Sequence, residues 1–93
     1  MKLFQLKTTG GARPDYYIAA HTNIEALATL FMDCELSFDD LDYEDQMIEI
    51  PESEWQNINK IHSPIYSPKD NDIIAKEMKN RKYSEVLGYE PKD

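Results

Sequence analysis

The sequence predicts an α+β fold: a small antiparallel sheet, made of a β-hairpin plus a third strand, with two or three helices packed on one face. Three observations predict it. Two runs rich in aliphatic and aromatic residues, KLFQLK at 2–7 and DYYIAA at 15–20, flank the spacer TTGGARP, which holds two Gly and one Pro. A helical repeat follows at Ile24, Leu27, Ala28 and Phe31, the i, i+3, i+4, i+7 spacing of one face. The chain has 93 residues, 41% of them hydrophobic, which is enough for one core and too few for two. A single acidic domain spanning residues 1–93 is expected.

The first two runs read as the arms of the hairpin, joined by a loop too long for a two-residue turn. Thr22 with Glu25 three residues on fits a capping box, so a helix is expected from Asn23 to about Cys34, with Leu30 and Met32 at its flanks. Residues 36–45 are acidic and turn-like. Met47, Ile48 and Ile50 suit a third strand over 46–50, which Pro51 ends, or else Pro51 opens a short helix with Trp55, Ile58 and Ile61 on one side. Residues 63–72, SPIYSPKDND, read as a connector. A last helix is expected after Asp70 or Asn71, with Ile73, Ile74, Glu77, Met78 and Arg81 along one side and Gly88 and Pro91 as its stop.

Charge is the most uneven property of the chain. The net charge is −8, and the whole excess lies between residues 22 and 59, which carry eleven acids and no Lys or Arg. The flanking segments are each slightly basic. Such a field repels nucleic acid and anionic lipid and draws in basic partners. No window approaches the ~18 apolar residues of a membrane span. The start, MKLFQLKTTGG, lacks the apolar core of a signal peptide. One cysteine, Cys34, cannot form an internal disulfide, and a cytoplasmic location is expected.

Each chemical reading meets a specific obstacle. Asp40, Asp42 and Glu44 imitate the opening of a calcium loop. The required Gly at the sixth place is Asp45, however, and the required Glu at the twelfth is Pro51, so neither metal nor cofactor is expected. Cys34, His21 and His62 are the candidates for nucleophilic chemistry. Asp33 and Glu35 beside Cys34 raise a thiol pKa, the wrong direction for a nucleophile. No zinc-protease, nucleophile-elbow, C-x-x-C or P-loop pattern occurs, and Gly10-Gly11 has no following Lys-Ser/Thr. Enzymatic activity is not expected. Lys76, Lys79, Arg81 and Lys82, with Tyr83 and Tyr89 near them, form a basic aromatic cluster. Glu77 and Glu85 lie among them and the molecule is strongly acidic, so direct nucleic-acid binding is not expected.

What remains is the acidic middle as an interaction surface. Asp39, Asp40, Asp42, Glu44 and Asp45 would supply charge, with Tyr43 and Tyr66 as aromatic anchors. Trp55, with apolar neighbours at helical spacing, reads as core. The expected function is a non-catalytic acidic protein, monomer or simple homodimer, that occupies a basic surface on another protein. A nucleic-acid-binding enzyme or complex is the natural target, and occupation would inhibit it. The alternative is a small structural or assembly subunit using the apolar sheet face or the last helix.

One short segment carries a family likeness. Ile65-Tyr66-Ser67-Pro68-Lys69-Asp70 is similar to the tyrosine–proline segment of colicin DNase immunity proteins, acidic proteins of this size that inhibit a basic nuclease. The likeness spans about six residues and retains one tyrosine of that family's pair. It implies the inhibitor class and not the fold, because those proteins are all-helical and the first third of this chain reads as strands. In general character the chain also resembles small acidic phage-borne proteins that block host enzymes or defence complexes, a likeness carried by no motif.

Overall fold

The computed structural model describes residues 1–9, 14–34, 36, 39, 41, 45–58 and 73–90. It contains strands β1 (Lys2–Lys7), β2 (Asp15–Ala20), β3 (Gln46–Ile50) and β4 (Glu85–Glu90). Helix α1 (Asn23–Cys34) follows β2, a 3-10 helix (Glu52–Asn57) follows β3, and α2 (Ile73–Lys79) precedes β4. The strands form one sheet in the order β3-β1-β2-β4, with each neighbouring pair antiparallel. The α+β class, the hairpin and the third strand are therefore as the sequence predicts.

Side-chain alternation splits the sheet into two faces, and both are covered. Leu3, Tyr17 and Ala19 point to one face, where they meet Ile74 and Met78 of α2, with Trp55 and Ile58 packed alongside. Phe4, Leu6, Ile18 and Ala20 point to the other, where they meet Ala26 and Leu30 of α1. The helices thus divide between two faces, where the sequence reading puts them on one. The reason lies in β1 and β2, whose apolar residues occupy consecutive as well as alternate positions. Leaving either face open would expose several aliphatic side chains, each worth about 1.5–3 kcal/mol when buried.

The last element differs most. In place of a helix running to Gly88, α2 stops at Lys79 and the chain re-enters the sheet as β4. Val86 and Tyr89 are strand formers, and the edge of β2 offers this segment backbone partners. Arg81 holds the change of direction. Its guanidinium lies 3.1 Å from Glu77 on α2 and 2.5 Å from Glu85 on β4, with only 11% of its side chain exposed. Gly88 serves as a buried strand residue. Tyr17 pairs with Gly88 and Ile18 with Val86, so Leu87 is an extra residue, and this bulge sends it into the Leu3 core at 1% exposure.

Helix α1 has the expected bounds but a different buried side. Ala26 and Leu30 are fully buried, whereas Ile24 is 78% and Met32 81% exposed. The helix is apolar over most of its circumference, so spacing could not choose which stripe faces the sheet. Ala26, having only a methyl group, lets the backbone approach Phe4 and Ile18 closely, and that contact decides the rotation. Half of the capping box forms: Thr22 Oγ1 accepts from the Glu25 N–H at 3.1 Å. The Glu25 carboxylate meets His21 Nδ1 at 3.1 Å and takes a hydrogen bond from the Ser84 hydroxyl, tying the helix start to the approach to β4.

The rotation of α1 has a direct test in urea denaturation. Leu30→Ala should cost about 2–5 kcal/mol, as for other buried leucines. Ile24→Ala should stay within about 0.5 kcal/mol of the parent, as for an exposed position. The reverse ranking would mean that the helix buries the stripe picked out by its spacing.

Candidate interaction surface

Within the acidic segment, β3 is an edge strand. Its neighbour is β1 alone, and its residues are half-buried or exposed. The chain enters β3 through Asp45 and leaves it through Pro51 into the 3-10 helix, where Glu52 and Glu54 are exposed. Pro51 begins that helix with φ −62° and ψ 149°, and Trp55 Nε1 donates to the Ile50 carbonyl at 3.1 Å, folding the turn back on the end of β3. Trp55 is half-buried against the Leu3 core, as its spacing predicts.

Of the seven residues proposed as partner-binding, two are described. Asp39 is exposed. Asp45 is half-buried and has a structural role. It accepts from the Thr9 backbone N–H at 2.9 Å and from Thr9 Oγ1 at 3.1 Å, fastening the end of β1 to the start of β3. Asp40, Asp42, Tyr43, Glu44 and Tyr66 lie outside the described residues, as do His62, Ile61 and the IYSPKD segment.

Among the described residues, Lys2 and His21 meet carboxylates of the acidic segment. Lys2 Nζ lies 3.3 Å from Glu49 across the β1–β3 pair, with both side chains about half exposed, so the pair is worth little in water. His21 meets Glu25. On the basic side, Arg81 is held by Glu77 and Glu85 of its own region. Lys79, Lys82 and Tyr83 are exposed, and an open groove of about 270 Å³ runs past Lys76, Lys82 and Tyr83. With Arg81 clamped between two carboxylates, that groove offers lysines and a tyrosine without its strongest phosphate ligand.

The larger groove, about 430 Å³, lies between the start of α1 and the β1–β3 edge, with Phe4 and Met47 at its floor and Lys2, His21 and Glu49 at its rim. It gathers one imidazole, and the other two charges neutralise one another. Burial, and then the charge of Asp33, push the Cys34 thiol above its usual range, so the thiol stays protonated against the α1 core. Among the described residues there is no group of three His, Cys, Asp or Glu side chains that could hold a metal ion. No helix among them is long and apolar enough to cross a membrane.

Two polar clusters inside the fold are structural. Asp15, 9% exposed, accepts from the Thr8 N–H at 3.0 Å and from Gln5 Nε2 at 3.1 Å, fastening the loop end of the hairpin. Tyr17, 5% exposed, donates its phenol to Glu90 Oε2 at 2.8 Å and so joins β2 to the far end of β4. Burial first, then the Glu90 hydrogen bond and the charges of Glu90 and Asp15, raise the Tyr17 pKa well above its ordinary value.

Spacing alone does not single out the other apolar feature of the surface. Ile24, Ala28 and Met32 are all exposed and recur every fourth residue, forming a stripe on the outer side of α1. Comparison with protein-family models, curated proteins and solved structures finds no match to this chain.

Two outcomes follow from this geometry. Because folded Tyr17 holds its proton more tightly than unfolded Tyr17, its contribution to stability is complete below the ordinary phenol pKa of 10.0 and falls as pH rises past it. Denaturation curves from pH 8 to 11 should therefore show a steeper alkaline loss for the parent than for Tyr17→Phe; parallel curves would refute the assignment. Asp45→Ala should cost about 1 kcal/mol and speed amide exchange at Thr9, since a charged acceptor leaves a partly exposed N–H. Unchanged Thr9 protection would remove the fastening role.

Proposed function

We propose that this protein is a non-catalytic acidic binding domain that occupies a basic site on another protein, of the kind built to receive nucleic acid, and inhibits it. The observation that carries this reading is the segregation of charge: eleven acids and no Lys or Arg between residues 22 and 59. Its support from the fold is that this segment includes the edge strand β3, beside which Lys2 meets Glu49 with both side chains about half exposed. A carboxylate-rich surface competes for sites that attract phosphates, because those sites select charge before sequence. Asp39, Asp40, Asp42, Glu44 and Asp45 are the proposed charge, with Tyr43 and Tyr66 as anchors. The immunity-protein and phage-inhibitor likenesses belong to the same class of action.

The assembly alternative would use the apolar sheet face or the last helix. Both sheet faces meet helices, and α2 buries Ile74 and Met78 against the Leu3 core, so those surfaces are covered within the fold.

The test is affinity capture from bacterial lysate at low and moderate salt, with the native chain and the Asp39→Asn, Asp40→Asn, Asp42→Asn, Glu44→Gln variant side by side. The expected result is a nucleic-acid-binding protein held by the native chain, released by salt and by added nucleic acid, and lost in the variant. Capture that survives salt and neutralisation alike would overturn the reading.

A further inference from the structure

We propose that the outer stripe of α1, formed by Ile24, Ala28 and Met32, is a docking surface for a basic amphipathic helix of a partner protein. This rests on the binding reading above and adds the apolar contact that charge alone cannot supply.

Helix α1 carries more apolar surface than its packing needs. A helix with one face on a sheet needs one apolar stripe, and α1 already has it in Ala26 and Leu30, with half-buried Cys34 beyond. Ile24, Ala28 and Met32 make a second, on the opposite side. Ile24 and Met32 are 78% and 81% exposed and stand eight residues apart, roughly 12 Å along the axis. Half-buried Leu27 and Phe31 border the stripe. Straight i, i+4, i+8 ridges are what a second helix receives in its grooves.

The chemistry of the occupant follows from the surroundings. The ionisable side chains on α1 are Glu25, Asp33 and Cys34, and the helix carries no Lys or Arg. The segment around it carries none either. Two copies packed stripe to stripe would bring two chains of charge −8 together through helices that carry acids and no Lys or Arg. A partner helix with Leu- or Ile-like residues flanked by Lys or Arg meets the stripe and, beside it, the carboxylates of Glu25 and Asp33. Glu25 also holds His21 and Ser84, and Asp33 also accepts from the Val86 N–H at 3.2 Å. The complementarity is one of sign and of shape together.

The experiment uses a synthetic amphipathic helical peptide of Leu and Lys as the probe, labelled for fluorescence anisotropy, with sedimentation of the protein alone. The native chain should bind the peptide and remain monomeric. Ile24→Gln with Met32→Gln leaves every charge in place and substitutes exposed side chains, and it should weaken binding by at least about tenfold. Ala28→Gln, which crowds the middle of the stripe, should weaken it as well. Tyr83→Ser, at an exposed aromatic on the basic side, should leave binding unchanged. If the double variant binds like the native chain while salt still abolishes binding, the acidic reading survives and the stripe is overturned. If salt has no effect and only the double variant fails, the basic character of the partner is overturned. A native dimer that the double variant dissociates would assign the stripe to a second copy and overturn the proposal.

Discussion

Leu3 and Phe4 are neighbours in the chain and lie in different cores, and most of the architecture depends on that fact. Strand alternation sends them to opposite faces, and the adjacent β2 residues Ile18, Ala19 and Ala20 do the same at full burial. A central strand pair apolar on both sides cannot be sheltered by one layer of helices. The chain therefore covers the sheet twice, once through α1 on the Phe4 side and once through the 3-10 helix and α2 on the Leu3 side. The alanines have a further consequence: they leave room for close approach, and Ala26 on α1 matches them with a methyl group of its own.

The strand bounds, the helix start and the packing of Trp55 were legible because each has a local physical cause. Thr22 caps, Pro51 breaks, and period-two or period-3.6 repeats mark the intervening runs. The covering of both faces was not read, although the unbroken apolar run YYIAA is the pattern of a strand buried on two sides. The fourth strand was not legible. EVLGYE is short, begins and ends in charge, and contains a Gly that reads equally as a helix stop. Only the open edge of β2 and the clamp of Arg81 between Glu77 and Glu85 select the strand. The rotation of α1 was hidden for a related reason. Where nearly every side is apolar, the stripe that wins is chosen by fit to the sheet, a tertiary property.

The site was less legible than the fold. Charge counting located the acidic segment, but one carboxylate in it, Asp45, proves to be a fastener between Thr9 and β3. Sequence cannot separate such an acid from one held out to solvent, because the two differ only in what lies across space. The Ile24 stripe has the opposite history. Ile24 and Ala28 belong to the face that spacing marks for the core, with Met32 at its flank, and their exposure changes what they can do.

Electrostatics connects the fold to the surface. Arg81 pairs with Glu77 and Glu85 of its own region, while Lys79 and Lys82 stay exposed. Acids beside an edge strand discourage pairing with another chain's strand, which explains their place without any partner. The same acids act over about a Debye length, ~8–10 Å at physiological salt, whereas an apolar stripe acts only on contact. On the proposed reading the two features divide the work of binding. Long-range charge sets which partners arrive and how fast. The stripe on α1 sets how long they stay.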